Sequence, residues 1–521
     1  MLARLRKVDP RLVVALSAVA AVVLRFPGLL YPLGSDEAGF TLVAREWHPQ
    51  PTSLYGAYWV DRPPPLIAMV KVSDAIGGPL FIRLVAALGA GALVVAAAAT
   101  ARQMLRFAGE TDTAYAARTG AWTAVLTAAL TSSAMIDPVM AKGEILGIPL
   151  VVTSFWIGLR ALNRAVEHRP DLPALALAAG AGLLAVLAQG LKQNLVAGLV
   201  FGAAVLVGAR VRHRITTTTL VRLSLGALAG GLVPVGATVG WALWNGVLLH
   251  TLWYAVYGFR SDALEVITAQ SQQAPASRAL LLLGIAVASG AAFILAGVLL
   301  HRRRVWRLDP VLTVATLAVV LVDTTSLVLS GSFWRPYLFA LVPGVVLCAA
   351  LLLAVRDYVA RRTERLVVAA VVVSLAATAV WTVRDYAGVA PPDATRTGLA
   401  LHRAAEPDDT VVVYGGHAEL VLASGLRSPY RHLWTLPMRT LDPDLSQLQD
   451  LLEGPDAPTW FILWVPESSW GGLAAPIMPA LLERYELHGE TCGGHPVYLL
   501  EGEQRPELDP RCDGRGSPLL G

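Results

Sequence analysis

The sequence predicts a polytopic α-helical membrane protein with about eleven spanning helices and a C-terminal α/β domain outside the cytoplasm. Three observations predict it. Hydrophobic residues make up 55% of the chain and charged residues only 15%, against roughly a quarter charged in soluble domains. Apolar runs of about 20 residues, the length that crosses a bilayer core, recur along the chain. Arginines gather in every second loop between those runs.

The apolar runs begin near Leu12, Pro79, Ala114, Ile145, Leu172, Leu191, Leu220, Ala279, Pro310, Tyr337 and Leu366. Arg4, Arg6, Lys7 and Arg11 precede the first. That run is too long for a signal peptide and lacks a small-residue cleavage site, so it reads as an uncleaved first span. With the N-terminus inside, the inner loops hold Arg102 and Arg106; Arg164 and Arg169; Arg210, Arg212 and Arg214; Arg302, Arg303, Arg304 and Arg307; and Arg361, Arg362 and Arg365. Every inner loop is then basic, and an odd number of spans places the tail outside. The same distribution excludes a nucleic-acid partner despite the net charge of +4, because no single basic face forms.

The outer segments differ. The first, 34–78, is long and rich in aromatic and polar residues. Shorter ones are 132–144 and the polar turn 189–194 that holds Lys192. Segment 243–277 carries Trp244, Trp253, Tyr254 and Tyr257, suited to an interfacial belt. From Arg384 onward the composition is that of a soluble domain, which divides the chain into 1–383 and 384–521. Segments 410–414, 459–465 and 497–500 read as strands, with helices over 417–424 and 478–485. Gly415-Gly416 lacks the surroundings of a phosphate-binding loop. Of three cysteines, Cys348 lies in an apolar run as a packing residue. Cys492 and Cys512 share the tail, where an oxidising compartment allows a disulfide.

Chemistry is sought on the outer side. Ser35-Asp36-Glu37 follows the first span; paired carboxylates there can divide labour, one taking a proton from a hydroxyl, the other orienting a substrate or holding a divalent cation. The plainer reading is a helix start, with Ser35 as cap and acids in the first turn. Asp61-Arg62-Pro63-Pro64-Pro65-Leu66 stiffens a turn back into the membrane and presents Arg62 either to a lipid phosphate or as an interfacial anchor. Lys192 marks a substrate path or snorkels to the interface. Lys142 and Glu144, close to Asp137, read as an exposed ion pair or as site residues. Arg335-Pro336-Tyr337 adds a further cation. In the tail, His417, Glu419, His432 and His495 read as surface or turn residues.

Together, the acid pair, the Pro-Pro-Leu re-entry after a basic residue, Glu144 before the fourth span, Lys192 and Arg335-Pro336-Tyr337 leading to Pro343 resemble the GT-C superfamily. The branch resembled is that of protein O-mannosyltransferases and aminoarabinose lipid A transferases, over about the first 350 residues. The resemblance implies a polyprenyl-phosphate sugar as donor, used outside the cytoplasm with inversion. It implies Asp36 as general base, with Glu37 supporting it or binding donor or cation. Arg62, Lys192 and Arg335 would bind donor phosphate, and Glu144, Asp137 and Tyr337 would line the sugar or acceptor pocket. Arg62 stands where Lys is usual, Gly39-Phe40 follow the acid pair where Tyr is common, and the third proline is a further departure.

The expected activity is glycosyl transfer (hexosyl or pentosyl) to a cell-envelope glycan, lipid or protein, in a bacterial inner membrane. Two readings compete. A transporter or flippase of polyprenyl-linked sugars would show internal repeats and mid-membrane polar groups; no repeat is visible. A non-catalytic scaffold would work through the tail.

Overall fold

The computed structural model of the protein describes residues 8–167, 171–269, 273–386 and 392–512. Arg4, Arg6, Lys7 and Arg169, counted above among the inner basic residues, lie outside the described residues. The chain opens with helices α1 (Pro10–Val23), α2 (Ser35–Arg45), α3 (Pro64–Gly77), α4 (Phe81–Phe107), α5 (Thr113–Thr131), α6 (Gly143–Glu167) and α7 (Leu172–Leu191). It continues with α8 (Ala197–Val211), α9 (Thr217–Trp244), α10 (Gln273–Ala288), α11 (Ala291–Leu300), α12 (Pro310–Leu329), α13 (Val342–Ala354) and α14 (Tyr358–Trp381).

Several starts are written in the sequence as an aspartate ahead of a proline. Asp9 accepts the Arg11 N–H at 2.9 Å, Asp171 the Ala174 N–H at 3.0 Å and Asp309 the Leu312 N–H at 2.9 Å. Each carboxylate satisfies a donor that the first helical turn leaves open, and Pro10, Pro173 and Pro310 occupy positions where a missing N–H costs nothing.

All eleven expected runs fall on helices. Among the described residues, eight helices are long and apolar enough to cross a bilayer, and α10 with α11 makes a ninth if that pair, bent by 75°, is one span. The protein is therefore a multi-pass membrane protein. The count differs from eleven at two places for physical reasons. Helix α8 has 15 residues, about 22 Å of rise against a core of about 30 Å. Helix α5 carries Arg118 and a buried threonine face. The Thr123, Thr127 and Thr131 hydroxyls each donate to a carbonyl one turn back, at 2.9, 2.8 and 2.8 Å.

Two contacts decide how the helices stand. Helices α7 and α9 approach through glycines: a Cβ built on Gly182 would lie 1.9 Å from the Ala227 carbonyl oxygen, and one on Gly230 would lie 1.8 Å from that of Ala179. Lipid tails give helices no hydrophobic reason to associate, so close backbone approach at small residues supplies the attraction. At the arginine-rich end, ion pairs lace the loops together: Arg106 with Glu167 and Arg214 with Asp309, each at 2.6 Å, Arg304 with Asp357, and Arg356 with Glu110 at 2.6 Å.

At the opposite end, segment 34–78 is not an open loop. It folds into α2 and α3, clamped by a bidentate pair in which Arg45 donates to Asp74 at 2.8 and 2.9 Å. Residues 37–44 of α2 are buried, as are Tyr55 and Tyr58. Segment 243–277 is largely helical too, over Leu249–Trp253 and Phe259–Ala269, with Trp244 and Trp253 exposed as a belt requires.

The tail adds α15 (Asp393–Ala404), β1 (Val411–Tyr414), α16 (Ala418–Ser424), β2 (Trp460–Leu463), β3 (Tyr485–Glu490) and β4 (Pro496–Leu500). The sheet runs β1-β2-β4-β3, with β1 and β2 parallel and the other pairs antiparallel. β1 and β2 are buried along their whole length, as continuous apolar runs require. β3 was not expected; its alternation is weak, with only Tyr485 buried. Cys492 and Cys512 are joined by a disulfide. The tail sits on the α2–α3 segment: the Trp59 N–H donates to the Arg431 carbonyl and the Ser428 N–H to the Tyr58 hydroxyl, both at 3.0 Å.

Substituting Gly230→Val should lower the thermal midpoint in detergent by the equivalent of about 1–3 kcal/mol of overpacking. Gly236→Val on the same helix, where a Cβ meets nothing within 4 Å, should leave it unchanged. Equal midpoints for the two variants would refute the backbone contact as the source of α7–α9 association.

Candidate functional site

Neighbouring residues on a helix point about 100° apart, and the first turn of α2 uses this to give its two acids opposite fates. Glu37 turns inward and is 2% exposed. Its carboxylate accepts from Arg83 Nε and an Arg83 terminal nitrogen at 2.9 and 2.6 Å, from the Ala141 N–H at 2.8 Å and from the Gly34 N–H at 3.3 Å. The remaining Arg83 donors reach the carbonyls of Gly28 and Pro32, at 2.9 and 3.0 Å, and of Tyr31. The Arg83 guanidinium is thus satisfied at all of its N–H groups, which is the condition for a buried ion pair to be tolerated.

Asp36 turns outward to a partly open surface. It pairs with Lys142 at 2.8 Å, and the Trp434 indole N–H from the tail donates to it at 3.2 Å. The Trp434 ring also packs on Phe40, with centroids 5.8 Å apart. Gly39 is required here: a Cβ at that position would stand 2.2 Å from the Trp434 ring.

Around Asp36 the fold gathers cations from separate elements. Lys142 immediately precedes α6. Lys192 directly follows α7, pairs with Glu144 and lies 4.4 Å from the centre of the Tyr337 ring. Arg62 precedes α3, pairs with Asp61 at 2.5 Å and lies over Phe40, while the Tyr55 hydroxyl donates to its carbonyl at 2.5 Å. Arg260 reaches Asp61 from the other side. Four cations thus face three carboxylates, Asp36, Asp61 and Glu144.

The electrostatics follow from burial and this excess. Burial opposes ionisation of Asp36, but Lys142 and Arg62 outweigh it and hold its carboxyl well below the usual range. Burial likewise disfavours charged Lys142 and Arg62, yet Asp36 keeps Lys142 protonated and Asp61 with Asp36 does the same for Arg62. Lys192 goes the other way: burial, only partly offset by Glu144 and reinforced by Arg62, brings it down to about 8.

Not every expected residue joins. Arg335 is exposed and lines a separate cavity of about 480 Å3 with Tyr31, Asp137 and Trp381. Asp137 is buried and accepts the Val139 and Met140 N–H groups, both at 2.9 Å, so it shapes the turn before α6. Glu37 is committed to Arg83 rather than to the open surface. Lys142 and Glu144 are not an exposed pair with each other; they take Asp36 and Lys192 as partners. Trp434, Arg83 and Arg260 were missed altogether. A lone Trp in a soluble tail and an Arg within an apolar run carry no spacing signal, although a charge inside a span is itself a flag.

The family resemblance raises a divalent cation, and the donor set does not suit one. Both acids of the pair are engaged by cations, and among the described residues no three His, Cys, Asp or Glu side chains converge.

The oligosaccharyltransferase AglB from Archaeoglobus fulgidus, in complex with an inhibitory peptide and a dolichol-phosphate, matches with a TM-score of 0.53 at 13% identity, over 95% of this chain and 74% of that one. The same organism's oligosaccharyltransferase tethered to an acceptor peptide matches with a TM-score of 0.52 at 12% identity, over 95% and 74%. The chain shares its fold with these oligosaccharyltransferases. The chain also matches ArnT from Cupriavidus metallidurans bound to undecaprenyl phosphate, at 14% identity over 94% and 97% of the two chains, with a TM-score of 0.47. No protein-family profile and no curated protein sequence matches.

Arg83→Met strands the buried Glu37 carboxylate and should cost about 3–5 kcal/mol, read as a lowered thermal midpoint. Adding Glu37→Gln should restore part of the loss. If the double variant were no more stable than the single one, the pair would not be the staple described.

Proposed function

We propose that the protein is an integral-membrane glycosyltransferase that moves a sugar from a polyprenyl-phosphate donor to an acceptor hydroxyl on the extracytoplasmic side, with inversion. The observation that carries the reading is one partly open carboxylate, Asp36, held among Lys142, Arg62 and Lys192 at the end of the bundle away from the arginine-rich loops. The GT-C-like fold supports it, since one matched structure holds dolichol-phosphate. In this reading the arginine-rich end is cytoplasmic, and residues 384–521 form the extracytoplasmic domain, which brings Trp434 to the site.

In the proposed reaction the acceptor oxygen attacks the anomeric carbon from the face opposite the phosphate. Asp36 takes the hydroxyl proton as that bond forms. The bond between the anomeric carbon and the phosphate oxygen breaks, and polyprenyl phosphate leaves with the electron pair. Arg62 and Lys192, already fixed by Asp61 and Glu144, meet the negative charge that develops there. Without donor, Lys142 and Arg62 make Asp36 a weak base. A phosphate beside Arg62 and Lys192 offsets their field and raises the proton affinity of Asp36, so donor binding readies the base. Glu37 acts as a positioning residue through Arg83. The acceptor is a glycan, lipid or protein of the cell envelope.

The test is purified, reconstituted protein offered a panel of polyprenyl-phosphate sugars. Wild type should release polyprenyl phosphate, and Asp36→Asn should lower turnover at least about a hundredfold while inserting and melting normally. If Asp36→Asn retained turnover, Asp36 would not be the base. If no donor were consumed but labelled sugar lipid crossed proteoliposomes, a transporter would replace the enzyme.

Lys192 gives a pH signature. A lysine is charged below its pKa, and this one lies near 8. KM for the donor should therefore rise as pH climbs through about 8, and Lys192→Arg should flatten that rise. A KM independent of pH in the wild type would remove Lys192 from the phosphate site.

A further inference from the structure

Far from Asp36, at the arginine-rich end, α1 and α14 both pack on α5 but stay apart from each other and leave a cleft of about 540 Å3. That volume is within the range of roughly 300–1,000 Å3 found for small-molecule sites. We propose that the cleft is a binding site for an anionic glycerophospholipid of the leaflet on that side.

Its two ends differ in chemistry. One is apolar, lined by Val13 of α1, Val125 of α5 and Val368, Val371 and Val372 of α14. It opens sideways between outward-facing strips, with Leu12, Leu16 and Val19 on α1 and Val372 and Leu375 on α14, all exposed. In a membrane those strips face lipid, so an acyl chain enters the cleft directly from the bilayer. The other end is the mouth, where Arg118 and Arg361 stand.

The carboxylates at the mouth are mostly spent. Asp357 accepts the Val359 N–H at 2.6 Å and pairs with Arg304. Asp112 accepts the Tyr115 N–H at 2.9 Å and lies 3.5 Å from Arg356. Arg356 in turn holds Glu110 at 2.6 Å and stacks 4.0 Å from the Tyr115 ring centre. Glu364 lines the mouth as well, so three arginines and three carboxylates balance in the lining itself, and the positive surplus at this end comes from Arg362 and Arg365, which follow on the same helix. Neither Arg118 nor Arg361 makes an ion pair among the described residues. A guanidinium fork at headgroup depth above an apolar slot matches a phosphodiester carrying acyl chains. A zwitterionic lipid brings no net charge to this excess, and a free phosphate leaves the slot unfilled. The inference does not depend on the proposed reaction.

The test uses the full-length protein in neutral detergent, with native mass spectrometry to count bound lipid and a thermal melt. Phosphatidylglycerol should stay bound and raise the midpoint, whereas phosphatidylcholine and inorganic phosphate should do neither. Arg118→Ala with Arg361→Ala should weaken phosphatidylglycerol binding about tenfold or more, and Arg118→Lys with Arg361→Lys should keep most of it. Val368→Trp should abolish binding with every charge in place. Equal retention of the two lipids by wild type, or undiminished phosphatidylglycerol binding in the double alanine variant, would overturn the site. Stabilisation by inorganic phosphate equal to that by lipid would reduce it to an adventitious anion contact. If the double alanine variant does not fold, Val368→Trp decides alone: binding unchanged there refutes the slot.

Discussion

The Glu37–Arg83 ion pair organises the end of the molecule that carries Asp36. Taking two charges out of water is costly, and the cost is recovered only when every donor and lone pair finds a partner. Here the partners are backbone groups from the segment after α1, from the start of α2 and from the strand of chain before α6. The pair is therefore a junction that forms only when four pieces of chain meet in one arrangement. Because Glu37 is locked inward, Asp36 has one direction left, outward toward Lys142.

A second constraint is electrostatic. The cations around Asp36 come from the ends of different elements, and each is anchored by an acid: Lys192 by Glu144, and Arg62 and Arg260 by Asp61. Anchoring removes the rotamer freedom that long cationic side chains otherwise lose on meeting a ligand. It also leaves a modest positive surplus instead of a bare cluster of like charges. The tail completes the cluster with a neutral donor, the Trp434 indole, which holds Asp36 without competing for its charge. That contact makes the tail part of the site.

The bundle separates two kinds of work. Glycine contacts bring α7 and α9 to backbone distance and so set where Lys192 emerges. At the other end, arginine–carboxylate pairs tie loops that have no apolar reason to meet. Exposed pairs such as Arg106–Glu167 contribute little stability each, but they fix which loop lies beside which, and Arg356 of the Arg356–Glu110 pair lines the cleft between α1 and α14.

Much of this was legible from residue order alone. Apolar runs, aspartate-proline helix starts and arginine-bearing loops are local signals, and bilayer thickness and backbone hydrogen bonding turn them into helices with little ambiguity. The strands at 411–414 and 460–463 were equally plain, since a short run of β-branched and aromatic residues between turns has few other uses. The acids and cations of the site could be named, because charge beside a membrane span is conspicuous. Their partners could not. Whether Lys142 meets Glu144, two residues away, or Asp36, more than a hundred residues away, depends on how α2 and α6 are rotated, and that is decided by the packing of the whole bundle. The same holds for Glu37 and Asp36, neighbours in sequence that helical geometry sends apart, and for Arg335, which is drawn to a different cavity. The sequence by itself determined which segments form apolar helices and which charges lie at their ends. Tertiary structure alone decided which of those charges neutralise one another and which stay available, because pairing energies depend on distance and burial, and neither is a property of residue order.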